Sequence, residues 1–117
     1  MQYTAIVTDD LFLGTKAQDI LRRAGIAARR TAPGALDAAD PAPAVVVLDL
    51  GLPLEKRVQV VHWAQDKAPV VAFGPHVDAE SLFWARQAGC AAVLTKGQLE
   101  ARLARAVAGA LPADAPP

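Results

Sequence analysis

A basic surplus is missing from this chain: Lys and Arg number 12, Asp and Glu number 12, and the formal net charge is +0. Nucleic-acid binders use excess cations to displace phosphate counterions, so a general DNA- or RNA-binding role is not expected. Cysteine is also scarce. Cys90 stands alone, which excludes an internal disulfide and a thiolate zinc cluster. No apolar run approaches the roughly 20 residues that a membrane-spanning helix needs. The opening residues, Met1-Gln-Tyr-Thr-Ala5, have neither the basic segment nor the long apolar core of a secretory signal. A cytoplasmic protein with no membrane partner is expected.

What the chain has is apolar bulk. Of its 117 residues 53% are hydrophobic and 21% charged, which excludes disorder for most of it. That length suits one domain, with a core large enough to hold without disulfides or a structural metal. Residues 1–112 are read as that domain and residues 113–117, Ala-Asp-Ala-Pro-Pro, as a frayed tail.

Short β-rich runs alternate with helical patterns. Tyr3–Thr8, Ala44–Leu48, Val70–Phe73 and Ala91–Thr95 read as strands, and Ile26–Thr31 as a weaker one. Ala44–Leu48 is continuously apolar, as suits a strand buried on both faces of a parallel sheet. Helices are expected over Leu11–Ala24, closed by Gly25; over the short stretch Pro33–Asp40; over Leu54–Asp66, with Val58, Val61 and Ala64 or Gln65 inward; from Asp78 to Gln87, closed by Gly89; and from Leu99 to Leu111. Phe83 and Trp84 are adjacent, so they cannot both face the core. Five strands and five helices in alternation predict an α/β fold, a doubly wound five-stranded parallel sheet of order 2-1-3-4-5 between two helical layers.

In such a sheet ligands bind beyond the carboxyl ends of the strands, where strand order reverses between the first and third. Asp9 and Asp10 follow the first strand and Asp49 ends the third. Three carboxylates are thereby expected around one crevice, where crowding favours a hard cation such as Mg2+. Lys96, after the fifth strand, can reach the same place as a fixed positive charge. An acidic cluster with one lysine suits phosphoryl chemistry, because cations offset charge on the phosphoryl oxygens. The plainer reading makes the acidic pair a cap on the first helix, which explains one aspartate better than two. Removal of Asp10 or Asp49 is expected to relieve like-charge repulsion and stabilise the metal-free fold.

Three segments resemble the receiver domain of bacterial two-component response regulators, a flavodoxin-like fold, and the likeness runs from about Tyr3 to Leu111. Ala5-Ile-Val-Thr-Asp-Asp10 is similar to that family's strand ending in an acidic pair. Val46-Val-Leu-Asp-Leu-Gly-Leu-Pro53 is similar to the segment around its phospho-accepting aspartate, and Gly89-Cys-Ala-Ala-Val-Leu-Thr-Lys-Gly97 to the segment carrying its lysine. The resemblance implies that Asp49 is the phosphoacceptor and nucleophile. It implies that Asp9, Asp10, Asp49 and the Gly51 carbonyl hold Mg2+, and that Lys96 contacts the phosphoryl group or Asp49. It further implies a histidine kinase or phosphotransfer protein, or another signalling protein, as partner, with the chain itself a monomer or weak homodimer.

Two switch positions depart from the family pattern. Gly74 stands where receivers carry a Ser or Thr, and Val93 where they carry an aromatic residue. His76 lies in the loop beyond Gly74 and is a candidate stand-in for the lost hydroxyl, or simply a solvated histidine. Three functions compete. The first is a single-domain signalling protein phosphorylated at Asp49. The second is a pseudo-receiver that keeps the fold and binds partners without phosphorylation. The third is a small enzyme on the flavodoxin-like fold, for which Asp10-Leu-Phe-Leu-Gly-Thr15 makes a poor phosphate loop and Gly51 stands where an aspartate phosphatase would place a second acid.

Overall fold

The first apolar run forms β1 (Thr4–Val7), and the amphipathic stretch after it forms α1 (Leu11–Arg23). The chain continues through β2 (Ala28–Arg30), a 3-10 turn at Pro33–Ala35, β3 (Val45–Asp49), α2 (Leu54–Ala64), β4 (Val70–Gly74), α3 (Ala79–Gln87), β5 (Ala92–Thr95), a second 3-10 turn at Lys96–Gln98, and α4 (Leu99–Ala110). This computed structural model describes residues 2–112, so the tail read over residues 113–117 lies outside the described residues. All strand pairs are parallel, in the order β2-β1-β3-β4-β5. The predicted doubly wound sheet is therefore the observed one.

β1, β3 and β4 lie inside the sheet and are buried along their whole length. Their side chains alternate between two cores. Ala5, Val7, Val46, Leu48 and Ala72 face Val60, Trp63 and Ala64 of α2 and Leu82 and Ala85 of α3. Ile6, Val45, Val47, Val71 and Phe73 face Leu13, Ala17, Ile20 and Leu21 of α1 and Leu99, Leu103 and Val107 of α4. Each fully buried large side chain contributes about 1.5–3 kcal/mol. The edge strand β2 is short, and its exposed Arg29 and Arg30 discourage pairing with another chain.

The expected helix over Pro33–Asp40 is not there. The segment makes one 3-10 turn at Pro33–Ala35, leaving four α-helices among the described residues. Pro33 and Gly34 suit a turn, a glycine disfavours helix continuation, and Pro41 and Pro43 close the stretch. Leu36, 1% exposed, pins it to the core beside α2 and α3. The inward face of α2 also differs from the expected one. Val60, Trp63 and Ala64 are buried, whereas Val58 is 49% exposed. Spacings 58-61-65 and 60-63-64 both fit a helix, and the larger apolar area of Trp63 decides the rotation. Gly25 and Gly89 close α1 and α3 with φ of 79° and 87°, the left-handed conformation in which glycine avoids a Cβ clash. Of the adjacent aromatic pair, Phe83 is exposed, while Trp84 packs against the core.

Candidate functional site

The parallel register pairs Val7 of β1 with Leu48 of β3. One step further along both strands brings Thr8 beside Asp49. Asp49 is buried, 4% exposed, and both its carboxylate oxygens have partners. The Thr8 hydroxyl donates to Oδ2 at 2.6 Å, and the Gly51 amide donates to Oδ1 at 2.8 Å. A Cβ on Gly51 would lie 3.0 Å from that same Oδ1, so glycine lets the loop backbone close over the carboxylate.

Asp10 is the N-cap of α1. Its Oδ1 accepts the Leu13 amide at 2.9 Å, filling one of the four orphan donors at a helix start. The Asp10 amide in turn donates to the Thr8 hydroxyl oxygen at 3.0 Å. A continuous chain of hydrogen bonds thus runs from Leu13 through Asp10 and Thr8 to Asp49. Asp9 is exposed on the bend between β1 and α1. Because Asp10 is a cap, its removal carries a stability cost that charge repulsion alone does not anticipate. The plainer reading is right for this one aspartate and does not extend to Asp9.

Lys96 begins the 3-10 turn after β5. That turn is fixed by a capping box in which Gln98 Oε1 accepts the Thr95 amide at 3.0 Å. Asp9, Asp10, Asp49, Gly51, Leu52 and Lys96 together line one cleft of about 340 Å³. The sequence-predicted acids and lysine therefore meet in a single place. The ion pairs among the described residues, Arg23–Asp19 and Arg23–Glu100, lie elsewhere, so Lys96 faces the cleft without being neutralised by its acids. No three His, Cys, Asp or Glu side chains among the described residues converge as a ready metal cage.

The switch positions lie beside this cleft rather than in it. Gly74 ends β4, and a Cβ built there would stand 3.2 Å from Leu50 Cβ and 3.4 Å from its Cδ1. Leu50, itself buried, occupies the room a larger residue would need. Val93 is half-buried on β5 against the α2/α3 core. His76 is exposed in the turn before α3 and is not among the cleft's lining residues. A larger hollow of about 470 Å³, at the opposite end of the sheet, is lined by residues such as Asp66, Lys67 and Cys90. Burial pushes the Cys90 thiol up to about 11, which keeps it protonated and unreactive at neutral pH. The sequence-predicted acids and the lysine line the smaller cleft.

Thr8 is the site residue that sequence reasoning passed over, because a threonine at a strand end reads as ordinary β propensity. The signal was available in the register: aligning the two apolar runs places Thr8 opposite Asp49.

No protein-family model and no curated protein matches the sequence. Solved structures do match the fold. A response regulator receiver protein from Burkholderia phymatum is 28% identical, with 94% of each chain covered and a TM-score of 0.81. A response regulator receiver domain protein from Clostridium thermocellum aligns over 94% of each chain at 14% identity and a TM-score of 0.78. The Vibrio cholerae chemotaxis protein CheY4 is 18% identical over 95% of this chain and 99% of its own, with a TM-score of 0.75. None of the helices described is long and apolar enough to cross a membrane. With the strand order, the acidic cleft and these full-length likenesses in agreement, the chain is identified as having the receiver-domain fold of the response regulators.

Proposed function

We propose that this protein is a receiver-type signalling module in which Asp49 accepts a phosphoryl group from a phosphohistidine on a histidine kinase or phosphotransfer protein, or from a small acyl phosphate. The observation that carries this reading is the single cleft that joins buried Asp49 to Asp9, Asp10 and Lys96. A carboxylate oxygen of Asp49 attacks phosphorus, the bond from phosphorus to the donor's nitrogen or oxygen breaks, and the donor leaves with that electron pair. The product is a mixed anhydride, which water later hydrolyses back to the carboxylate. The Gly51 amide and the Thr8 hydroxyl hold Asp49 in one orientation, so little ordering remains to be paid for at the moment of attack. Lys96 supplies a positive charge toward the developing phosphoryl oxygens.

The cleft's donors suit Mg2+. Its available ligands are hard oxygens, the carboxylates of Asp9, Asp10 and Asp49 and the Gly51 carbonyl, and Mg2+ is commonly held by one or two carboxylates with the rest water. Asp10 spends one oxygen on its cap and keeps the other. When bound, the ion would neutralise charge on the transferring phosphoryl group. Signal output then passes through protein–protein contacts, and the protein's own catalysis is limited to accepting and losing the phosphoryl group at Asp49.

The test is intact-protein mass spectrometry after incubation with acetyl phosphate and Mg2+. The expected result is a gain of one phosphoryl group, lost without Mg2+ and lost in Asp49→Asn. No gain in the wild type would overturn the phosphoacceptor reading. That outcome would favour the second one, a phosphorylation-independent interaction module, whose support is the Leu50 side chain packed where Gly74 leaves room for no hydroxyl.

A further inference from the structure

The hydrogen-bond chain at the end of β1 has no counterpart at Gly74, where no side chain exists to respond to a change at Asp49. We infer that Thr8 is the positioning residue that senses the state of Asp49, and that it relays this state through the Asp10 amide to the first turn of α1. The inference rests on the reading of Asp49 as a phosphoacceptor and adds to it a residue and a direction of output.

The argument begins with charge. In the unmodified protein Asp49 Oδ2 accepts the Thr8 hydroxyl at 2.6 Å, a short bond of the kind a charged acceptor makes. Formation of a mixed anhydride removes the carboxylate charge from both oxygens of Asp49. Whichever oxygen takes the phosphoryl group, Oδ2 becomes either an ester oxygen or a neutral carbonyl, and in both cases a weaker acceptor. The negative charge moves to the phosphoryl oxygens. A hydroxyl follows charge because it can rotate, whereas the Gly51 amide on Oδ1 is fixed in the backbone. Thr8 is thus the donor at Asp49 that is free to change partner.

Its movement has somewhere to go. Thr8 Oγ1 is also the acceptor for the Asp10 amide at 3.0 Å, and Asp10 caps α1 through Leu13. A turn of the Thr8 side chain therefore alters the hydrogen bond on the residue that begins the helix. Immediately after it stand Leu11 and Phe12, 71% and 74% exposed. These are two large apolar side chains on a helix start whose position depends on that cap. A ligand can shift a conformational equilibrium only through contacts that differ between two states. Thr8 supplies such a contact within direct bonding distance of Asp49.

Backbone NMR of the full chain with Mg2+, with and without beryllofluoride as the phosphoryl mimic, tests this in wild type, Thr8→Val, Thr8→Ser and Asp49→Asn. In the wild type the Gly51 amide is expected to shift, reporting occupancy at Asp49, together with the amides of Asp10, Leu11 and Phe12. Thr8→Val keeps the shape and removes the hydroxyl. It is expected to keep the Gly51 shift and lose the Asp10–Phe12 shifts, and Thr8→Ser is expected to restore them. Asp49→Asn should abolish all of them. If Thr8→Val retains wild-type shifts from Asp10 to Phe12, the relay is wrong while the phosphoacceptor reading stands. If Thr8→Ser does not restore what Thr8→Val loses, the hydroxyl is not the cause and the inference is likewise overturned. A silent Gly51 amide in the wild type overturns both readings together.

Discussion

At the ends of β1 and β3 the cleft is held by hydrogen bonds that run unbroken from Leu13 through Asp10 and Thr8 to Asp49. At the ends of β4 and β5 the same cleft is bordered by Gly74, which has no side chain to offer, and by Lys96, which lies outside the ion pairs described. The first half fixes the Asp49 carboxylate in place. The second half contributes the Lys96 charge and a packing contact, Leu50 against Gly74. On the reading proposed above, the fold keeps its acidic site while the responding group stands at the end of β1 instead of the end of β4. The two tasks use different side chains, and nothing in the sheet obliges them to stay together.

The sharpest way to break this contrast is to put a hydroxyl back on β4. Gly74→Thr alone forces a Cβ to 3.2 Å from Leu50 Cβ. The expected cost is about 1–3 kcal/mol of stability, the range for overpacking a filled core. Leu50→Ala alone leaves a cavity and costs about 2–5 kcal/mol. The double variant is expected to cost less than the sum of the two, since each change relieves the other. Urea unfolding of all four proteins measures the coupling. Strict additivity would show that Leu50 does not fill the space of the missing side chain.

The next effect tests the opposite half. Asp10→Ala removes the cap on Leu13 and is expected to destabilise by about 0.5–2 kcal/mol. This is opposite in sign to the relief of charge repulsion expected from the sequence alone. Asp10→Ser keeps a capping oxygen while removing the charge, so it separates the two effects. A melting temperature that rises in Asp10→Ala would mean that repulsion among the cleft's acids outweighs the cap. The same variant is expected to weaken beryllofluoride binding, because it removes both a proposed Mg2+ ligand and the cap of α1.

Much of this architecture was legible in the residues. The apolar run Val45–Leu48 ending in Asp49, and the acidic pair after β1, are short-range patterns, and the sheet topology follows from their alternation with helices. The elements that were not legible depend on packing across the chain. The stretch after β2 has enough alanine to read as helix, yet Pro33, Gly34 and the anchoring of Leu36 leave only a 3-10 turn. The rotation of α2 was set by where Trp63 finds its core. Gly74 reads from sequence as a lost hydroxyl, but the contact with Leu50 that fills its space comes from the loop after β3. Thr8 fell between the two kinds of signal: it looks like an ordinary strand residue until the register sets it beside Asp49.

The smallest expected effect concerns the cap on the far side of the cleft. Asp78 does for α3 what Asp10 does for α1: its Oδ1 accepts the Ser81 amide at 3.1 Å. Hydrogen bonds from the Ser81 side chain and backbone, with the Arg57 guanidinium nearby, hold the Asp78 carboxyl below its ordinary value of 3.8. Arg57 itself is placed by the Leu52 carbonyl at 3.0 Å and the Trp84 ring at 5.0 Å. It ties the loop after Asp49 to α3. A carboxyl lowered in the folded state favours folding fully above its unfolded value, and that contribution disappears as pH falls through the lower folded one. The wild type is therefore expected to lose stability below about pH 3.8 relative to Asp78→Asn, which caps with a neutral oxygen and does not titrate. Above that pH the difference between the two should be constant. Urea midpoints measured against pH check it. The effect is small because Asp78 is only half-buried, so solvent screens its charge. Parallel curves through the acid range would show that this cap rests on geometry alone and carries no charge-dependent contribution.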